Sequence, residues 1–366
     1  MNLKNFLRYY LFLIVLFILS GFILMPVNAQ TQACVSFKPF KMIFLPDTHI
    51  SFKAEKKSGL QAESTGLVLP SRIPVCGEHP SNLTESDDWI LYKESFVIFQ
   101  DVIKNIKAIP DLNFVVFGGD LTNNDDNELS DLPLFLDSIE DVNFKYYAIL
   151  GDREADLKAG YTKQDFCAEF RRNGFDNPDL TYWAQQPQDN VLLIGLDTSV
   201  DNKVEGKLPP EELLWLDNTL KSNPDKFTII VMHHPAFQTK ASDKTIWKRF
   251  ALDNSDEFLN IINKYPQVKL VLSGHHHNYA VKNIAGKLFI SLPSVVTYPN
   301  QYKILKIYPD KVEIENKDIT FKQITKEAKN SLIKTDYAKE FDSKNPKNVL
   351  KFQRGDEFFK QKVFYF

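Results

Sequence analysis

Five short apolar runs in this chain each stop at residues able to hold a cation, and that regularity constrains the fold more than any other feature. Lys41-Met42-Ile43-Phe44-Leu45 leads into Asp47 and His49. Asn113 to Phe117 leads into Gly118-Gly119-Asp120, Lys145 to Leu150 into Gly151-Asp152, Phe227 to Met232 into His233, and Val268 to Leu272 into Gly274-His275-His276-His277. Short runs of β-branched and aromatic residues, bounded by Gly, Pro and Asp, predict strands. Between them lie stretches with helical features. Thr84 to Ile109 has Thr84 as cap, Glu85, Asp87 and Asp88 near the positive end of the dipole, and a stop at Pro110. Leu132 to Val142, Thr162 to Asn173 and Pro210 to Ser222 are the other predicted helices. A further strand, Val191 to Leu196, ends at Asp197, whose expected role is a structural hydrogen bond. Strand, polar loop and helix in repetition predict an α/β architecture with buried strands. From Lys287 onward, Leu288 to Ser291, Lys303 to Tyr308 and Lys311 to Glu315 are separated by turn residues and predict antiparallel pairing. After Phe321 the chain is rich in Lys and Asn and is expected to be partly helical.

In an open α/β sheet the carboxyl ends of the strands meet at one crevice. A set of carboxylates and imidazoles gathered there suits a pair of divalent cations, because imidazole nitrogen binds zinc, iron and manganese and a carboxylate can bridge two ions. Four of the seven histidines, His49, His233, His275 and His277, fall at such ends. Arranged as Asp47-Thr48-His49, Gly119-Asp120, Gly151-Asp152-Arg153-Glu154, His233-His234-Pro235 and Gly274-His275-His276-His277, the series resembles the calcineurin-like metallophosphoesterase family. The resemblance runs from about Phe40 to Asp318, and the helix start Leu208 to Leu216 belongs to it.

What the resemblance implies is an α/β four-layer sandwich of two mixed β-sheets flanked by helices, with a dinuclear metal site at the strand C-termini. One divalent ion (manganese, iron or zinc) would take Asp47, His49, Asp120 and His277. The second would take Asp120 as shared ligand with Asp152, His233 and His275. Two ions roughly 3.5–4 Å apart support a bridging hydroxide and an in-line displacement at phosphorus, so the implied reaction is hydrolysis of a phosphate ester. The implied catalytic residues are Asp120, Arg153 and His234, with Arg153 and His234 as substrate contacts.

The third motif departs from the family's Gly-Asn-His-Asp or Gly-Asn-His-Glu. Asp152 in place of Asn brings a full negative charge, which weakens the Lewis acidity of the second ion and favours harder cations. Arg153 stands where the family has the histidine that protonates the leaving group. A guanidinium with a pKa above about 12 cannot do that, although it can grip a phosphate oxygen with two N–H groups. Such a site suits a phosphodiester or nucleotide-type ester more than a monoester. The alternative is a catalytically impaired family member that binds metal and ligand. His234 and His276 are alternative acids, and His79, on the stretch 53–82, is a weaker substrate contact.

Residues 1–29 carry Lys4 and Arg8, no acid, an apolar run from Tyr9 to Met25, and Val27-Asn28-Ala29 as a cleavage-type end. They read as a signal peptide or a membrane anchor, and in both cases the remainder faces the extracytoplasmic side. Residues 40–318 are then the catalytic domain and 319–366 a polar, partly helical tail. The chain has 44 Lys and Arg against 47 Asp and Glu, and without Lys4 and Arg8 the balance is −5. An acidic balance with no basic stripe argues against long nucleic acid as a partner and for a small phosphate ester. The three cysteines, Cys34, Cys76 and Cys167, are too few for a disulfide scaffold, with one bridge, Cys34 to Cys76, left open. Asp125 and Asp126 are read as solvated loop acids, Asn82-Leu83-Thr84 as a glycosylation-type triplet, and Trp183 as a packing residue.

Overall fold

Every backbone N–H and C=O in an apolar run must find a partner once water is excluded. In the computed structural model these runs find it in two six-stranded sheets. The structure describes residues 36–51, 89–123, 131–156, 160–177, 179–239, 251–357 and 360–366. The predicted leader 1–29, the stretch 53–82 with His79, the triplet at Asn82, and Cys34, Cys76, Asp125 and Asp126 lie outside the described residues.

The first sheet is built from β1 (Phe40–Leu45), β2 (Leu112–Gly118), β3 (Lys145–Ile149), β10 (Gln301–Ile307), β11 (Lys311–Asp318) and β12 (Val363–Tyr365). Its order is β12-β11-β10-β1-β2-β3, parallel from β1 to β3 and antiparallel from β1 outward to β12. The second contains β4 (Trp183–Gln188), β5 (Val191–Gly195), β6 (Phe227–Val231), β7 (Val268–Ser273), β8 (Ala280–Ile284) and β9 (Lys287–Ser291). Its order is β4-β5-β6-β7-β9-β8, with a parallel centre and antiparallel edges.

Side chains alternate across a strand, and the two cores follow from that. Leu193, Ile229 and Leu270 point inward to join Phe40, Phe114 and Tyr147 of the other sheet. Their neighbours Leu192, Ile194, Ile230 and Val271 point outward and are covered by Leu213 and Leu216 of helix α4 (Pro210–Lys221) and by Phe258 and Ile262 of α5 (Ser255–Ile262). On the far side, Phe99 of α1 (Ser95–Lys107) packs on Phe117 and Phe135, the latter on α2 (Leu132–Ile139). The layers are therefore helix, sheet, sheet, helix, the mixed-sheet sandwich that the resemblance implies. Among the described residues no helix is long and apolar enough to cross a membrane.

Several elements differ from their sequence expectation. Of the helix expected over Thr84 to Ile109, Thr84, Glu85, Asp87 and Asp88 lie outside the described residues, and the helix runs over Ser95–Lys107 after a 3-10 turn at Tyr92–Glu94, with Leu91 N–H bonded to the Val296 carbonyl ahead of it. Helix α3 (Lys163–Glu169) ends early, although Thr162 caps it through a reciprocal bond with Asp165. Strand β9 runs parallel to β7 and antiparallel only to β8, so the predicted antiparallel set spans two sheets. Residues beyond Phe321 form α6 (Lys322–Leu332), α7 (Asp336–Phe341) and α8 (Asn348–Arg354), and β12 then extends the first sheet. The described residues from Ser36 onward form one unit that includes this tail. Cys167 is a buried free thiol, and burial pushes it up to about 12.

Trp183 ties the two edge strands together. Its Nε1–H donates to the Ala148 carbonyl on β3 at 2.8 Å, and its ring lies 5.4 Å from that of Tyr147 at 25°. Gly174 and Gly195 leave room for the indole, since a Cβ on either would collide with it. Trp183→Ala is expected to lower stability by about 3–5 kcal/mol in urea unfolding, as large-to-small substitution at a packed aromatic does.

Candidate metal centre

The ligand-type residues sit where strands end and the chain must turn. Asp47 and His49 follow β1, Asp120 follows β2, Asp152 follows β3, His233 follows β6, and His275 and His277 follow β7. Five of the seven hold a left-handed backbone: Asp47 (φ 56°), His49 (φ 42°), Asp120 (φ 52°), His275 (φ 63°) and His277 (φ 51°). Each such residue costs on the order of 1–2 kcal/mol in a non-glycine. Strain of this kind persists only where surrounding contacts enforce it. Those contacts are visible. Asp47 N–H donates to the Gly119 carbonyl and His49 N–H to the Asp120 carbonyl, both at 3.0 Å. Ser294 Oγ donates to the Asp47 carbonyl at 2.6 Å.

The side chains converge in two groups, Asp47, His49 and His277, and Asp120, Asp152, His233 and His275; within each, the candidate ligand atoms lie within 4.8 Å of one another. Asp120 faces both groups. One of its oxygens is 3.4 Å from His233 Nε2 and the other 3.7 Å from His49 Nε2. In the first group His49 Nε2 and His277 Nε2 are 3.1 Å apart, and Asp47 Oδ1 is 3.4 Å from His277 Nε2. In the second, Asp152 Oδ1 is 3.2 Å from His233 Nε2 and 3.0 Å from His275 Nδ1.

The donor set fits divalent cations. Three buried carboxylates and four imidazoles aim lone pairs at common points, an arrangement that needs positive charge between them. Burial works against a charge on His233, yet Asp120, Asp152 and Asp47 together hold it well above the usual histidine range. Burial, and then His277, hold His49 well below that range, which leaves a neutral imidazole to donate its lone pair. Burial works to raise Asp152, but His275 and His233 hold its carboxyl well below the usual range. His233 Nδ1 lies 2.9 Å from the Gly118 carbonyl, so that nitrogen carries the proton and Nε2 is turned to the site.

Glu154 has a role that its place in the third motif does not reveal. Its carboxylate accepts from the amides of Asp120 and Gly151, both at 2.8 Å, and from Leu121 at 2.9 Å. It thus binds the loops after β2 and β3 together. Burial, and then the Asp120 carboxylate, push it up to about 7. Arg153 donates its backbone N–H to Asp120 Oδ1 at 2.9 Å, and its guanidinium reaches the Tyr92 hydroxyl at 3.4 Å. Tyr92 in turn sets its ring edge-on to His49, with centroids 5.9 Å apart. Nothing in the sequence flagged Tyr92, because it falls inside the expected helix Thr84 to Ile109 and belongs to no motif.

His234, expected as a catalytic and substrate-contacting residue, packs its ring against the ligand-type His275, with centroids 4.4 Å apart. It is fully buried, with Nδ1 2.8 Å from Thr198 Oγ1 and Nε2 3.2 Å from the Val204 carbonyl. Between the two adjacent histidines it is His233 whose Nε2 meets the carboxylates, 3.4 Å from Asp120 and 3.2 Å from Asp152. His276 is also buried, with Nδ1 3.0 Å from Thr239 Oγ1. Asp197 is structural: Lys163 Nζ lies 3.0 Å from its carboxylate, and its amide donates to Glu212 of α4 at 2.8 Å.

This fold and this pair of ligand groups together define a dinuclear phosphoesterase-type centre. Residues 40–279 match the calcineurin-like phosphoesterase family, and the chain belongs to it. Among curated relatives it is similar to a protein named "Probable glycerophosphodiester phosphodiesterase GpdQ" from Arcobacter nitrofigilis, at 29% identity over 48% of this chain and 59% of that protein. It is also similar to a 3',5'-cyclic-nucleotide phosphodiesterase from Nostoc, at 35% identity over 33% of this chain and 49% of that protein. The chain thus spans between about half and three-fifths of the length of these two relatives. A dimetal phosphatase from Danio rerio shares the fold, with a TM-score of 0.54 and 14% identity over 77% of this chain and 98% of that one.

A Cβ at Gly151 would collide with Asp120, both its Oδ1 and its backbone. Gly151→Ala is therefore expected to keep the far-ultraviolet circular dichroism of the wild type while binding manganese about tenfold more weakly, as displaced ligand supports do in metal sites. Calorimetric titration of the metal-free protein checks this.

Proposed function

We propose that the protein is an exported, metal-dependent phosphodiesterase acting on a small diester of nucleotide or glycerol type. The observation that carries this reading is the shared carboxylate of Asp120 between two ligand groups, in a family of phosphoesterases, with Arg153 fixed beside it. Asp47, His49, Asp120 and His277 would hold one ion, and Asp120, Asp152, His233 and His275 the other. When bound, the two ions supply Lewis acidity to the phosphoryl oxygens and an activated water.

The chain's own residues then favour a diester. Two divalent ions against Asp47, Asp120 and Asp152 leave less positive charge than a ligand set with Asn in place of Asp152 would, so the electrostatic advantage of a dianionic monoester over a monoanionic diester is reduced. Arg153 returns one positive charge, as a hydrogen-bonding fork. It can hold a non-bridging phosphoryl oxygen as charge builds there, but it cannot deliver a proton to the departing oxygen. Esters with a good leaving group are the ones that such a site turns over. The names of the two curated relatives, both diesterases, support the same substrate class. The leader-type residues 1–29 support an extracytoplasmic location, where scavenged phosphate esters would be the substrates.

A second reading, metal and ligand binding without turnover, is favoured by one observation: Arg153 stands in the position of the leaving-group acid. The two readings part on turnover. Protein reconstituted with manganese is expected to hold about two ions per chain and to hydrolyse an aryl phosphodiester faster than the matching monoester. Arg153→Ala should lower kcat for the diester about 10²-fold, the usual loss for one donor to a developing oxyanion. Arg153→His should raise turnover of alkyl esters, whose leaving groups need a proton. Two bound ions with no turnover of any ester, with manganese, iron or zinc, would establish the binding reading instead.

A further inference from the structure

We propose that the C-terminal segment, which lies beyond the residues matching the family, positions the metal ligand His277 through an aromatic relay from Tyr337 to Trp89. The proposal rests on the metal-site reading above. It begins with a missing hydrogen bond. A metal-binding imidazole ordinarily donates its second nitrogen to a carboxylate or carbonyl, which fixes the ring. His233 does so through the Gly118 carbonyl, but Nδ1 of His277 is buried and has no hydrogen-bond partner among the described residues. Packing must set the plane of that ring.

The packing comes from Trp89, whose ring centroid is 5.3 Å from that of His277 at 54°. Trp89 is itself stacked on Tyr337 of α7, with centroids 5.1 Å apart and planes within 4°. Tyr337 is anchored in turn, since Gln353 of α8 donates Nε2–H to its hydroxyl at 2.9 Å. Both aromatic residues pack against a small core made by Tyr298, Ala328, Leu332, Ala338 and Val349, most of it from the three tail helices. A second link reaches the same loop from the other side, because the Gln353 carbonyl accepts from Tyr279 N–H at 3.1 Å. Gly355 permits that approach: its φ is 64°, and a Cβ there would run into the Tyr279 carbonyl. The tail therefore grips the chain two residues after His277 by its backbone and His277 itself through Trp89. Tyr337 and Trp89 are positioning residues in this account, and neither touches substrate.

Titration of the metal-free full chain with cobalt(II) tests this, read by calorimetry and by the visible absorption of the bound ion. Wild type should take up two ions. Tyr337→Leu keeps apolar bulk but removes the flat ring, and should bind one ion as wild type does and the other about tenfold more weakly, with an altered absorption band. Tyr337→Phe keeps the ring and loses the bond from Gln353, so it should melt earlier than wild type and yet bind both ions normally. That split separates positioning from general stability. If Tyr337→Leu proves too unstable to purify, Trp89→Leu removes the contact with His277 directly and should show the same selective loss. Normal binding of both ions by the leucine variant tested, or weakening in Tyr337→Phe equal to that in the leucine variant, overturns the relay. Failure of the wild type to bind cobalt overturns the metal-site reading itself.

Discussion

Asp47, Asp120 and Asp152 are withdrawn from water within a few ångströms of the same imidazoles, and such a concentration of negative charge is tolerable only around cations. Much of the structure near the crevice serves to hold these groups in place. The two parallel strand sets deliver the ligands from opposite sheets to one crevice. Glu154 then joins the loop after β2 to the loop after β3 by accepting three amides with one carboxylate. Because Asp120 is on the first of those loops and Asp152 on the second, their separation is set by hydrogen bonds instead of by side-chain rotamers alone.

The backbone reflects the same demand. Five ligand residues adopt a left-handed conformation that glycine would take with less strain. Glycine could not supply a carboxylate or an imidazole, so chemistry decides these positions against local preference. The opposing glycines, Gly119, Gly151 and Gly274, stand where a side chain would strike a ligand or a neighbouring turn. Strained ligands and small neighbours are two halves of one arrangement, in which a tight turn brings a functional group to the crevice and the facing chain makes room.

How far the site could be read from the residues depended on sequence distance. Asp47, His49, Asp120, Asp152, His233, His275 and His277 each follow directly on an apolar run, so a strand-end rule was enough to single them out. His234 could not be placed from the sequence, because the groups that hold its ring, Thr198 and Val204, lie 36 and 30 residues away. Glu154 was visible as a motif letter but not as a clamp, since its three amides come from two loops. Trp89, Tyr92 and Tyr337 carried no signal at all. They reach the ligands across sequence gaps of forty residues or more, and aromatic residues at such positions are ordinarily packing. The tail beyond Phe321 looked empty of chemistry for the same reason: its polar composition says nothing about where Gln353 and Tyr337 are held.

By itself, the sequence determined the strand order of ligands, the α/β alternation and the departure from the family at Asp152 and Arg153, because these depend on residue type and on neighbours a few positions away. Only the tertiary structure decided which oxygen of Asp120 faces which group, that His234 is buried against Thr198 and Val204, and that the chain's last helices stand behind His277. Those are matters of orientation and long-range packing, and they arise only when two sheets and a distant helical segment close around the same few side chains.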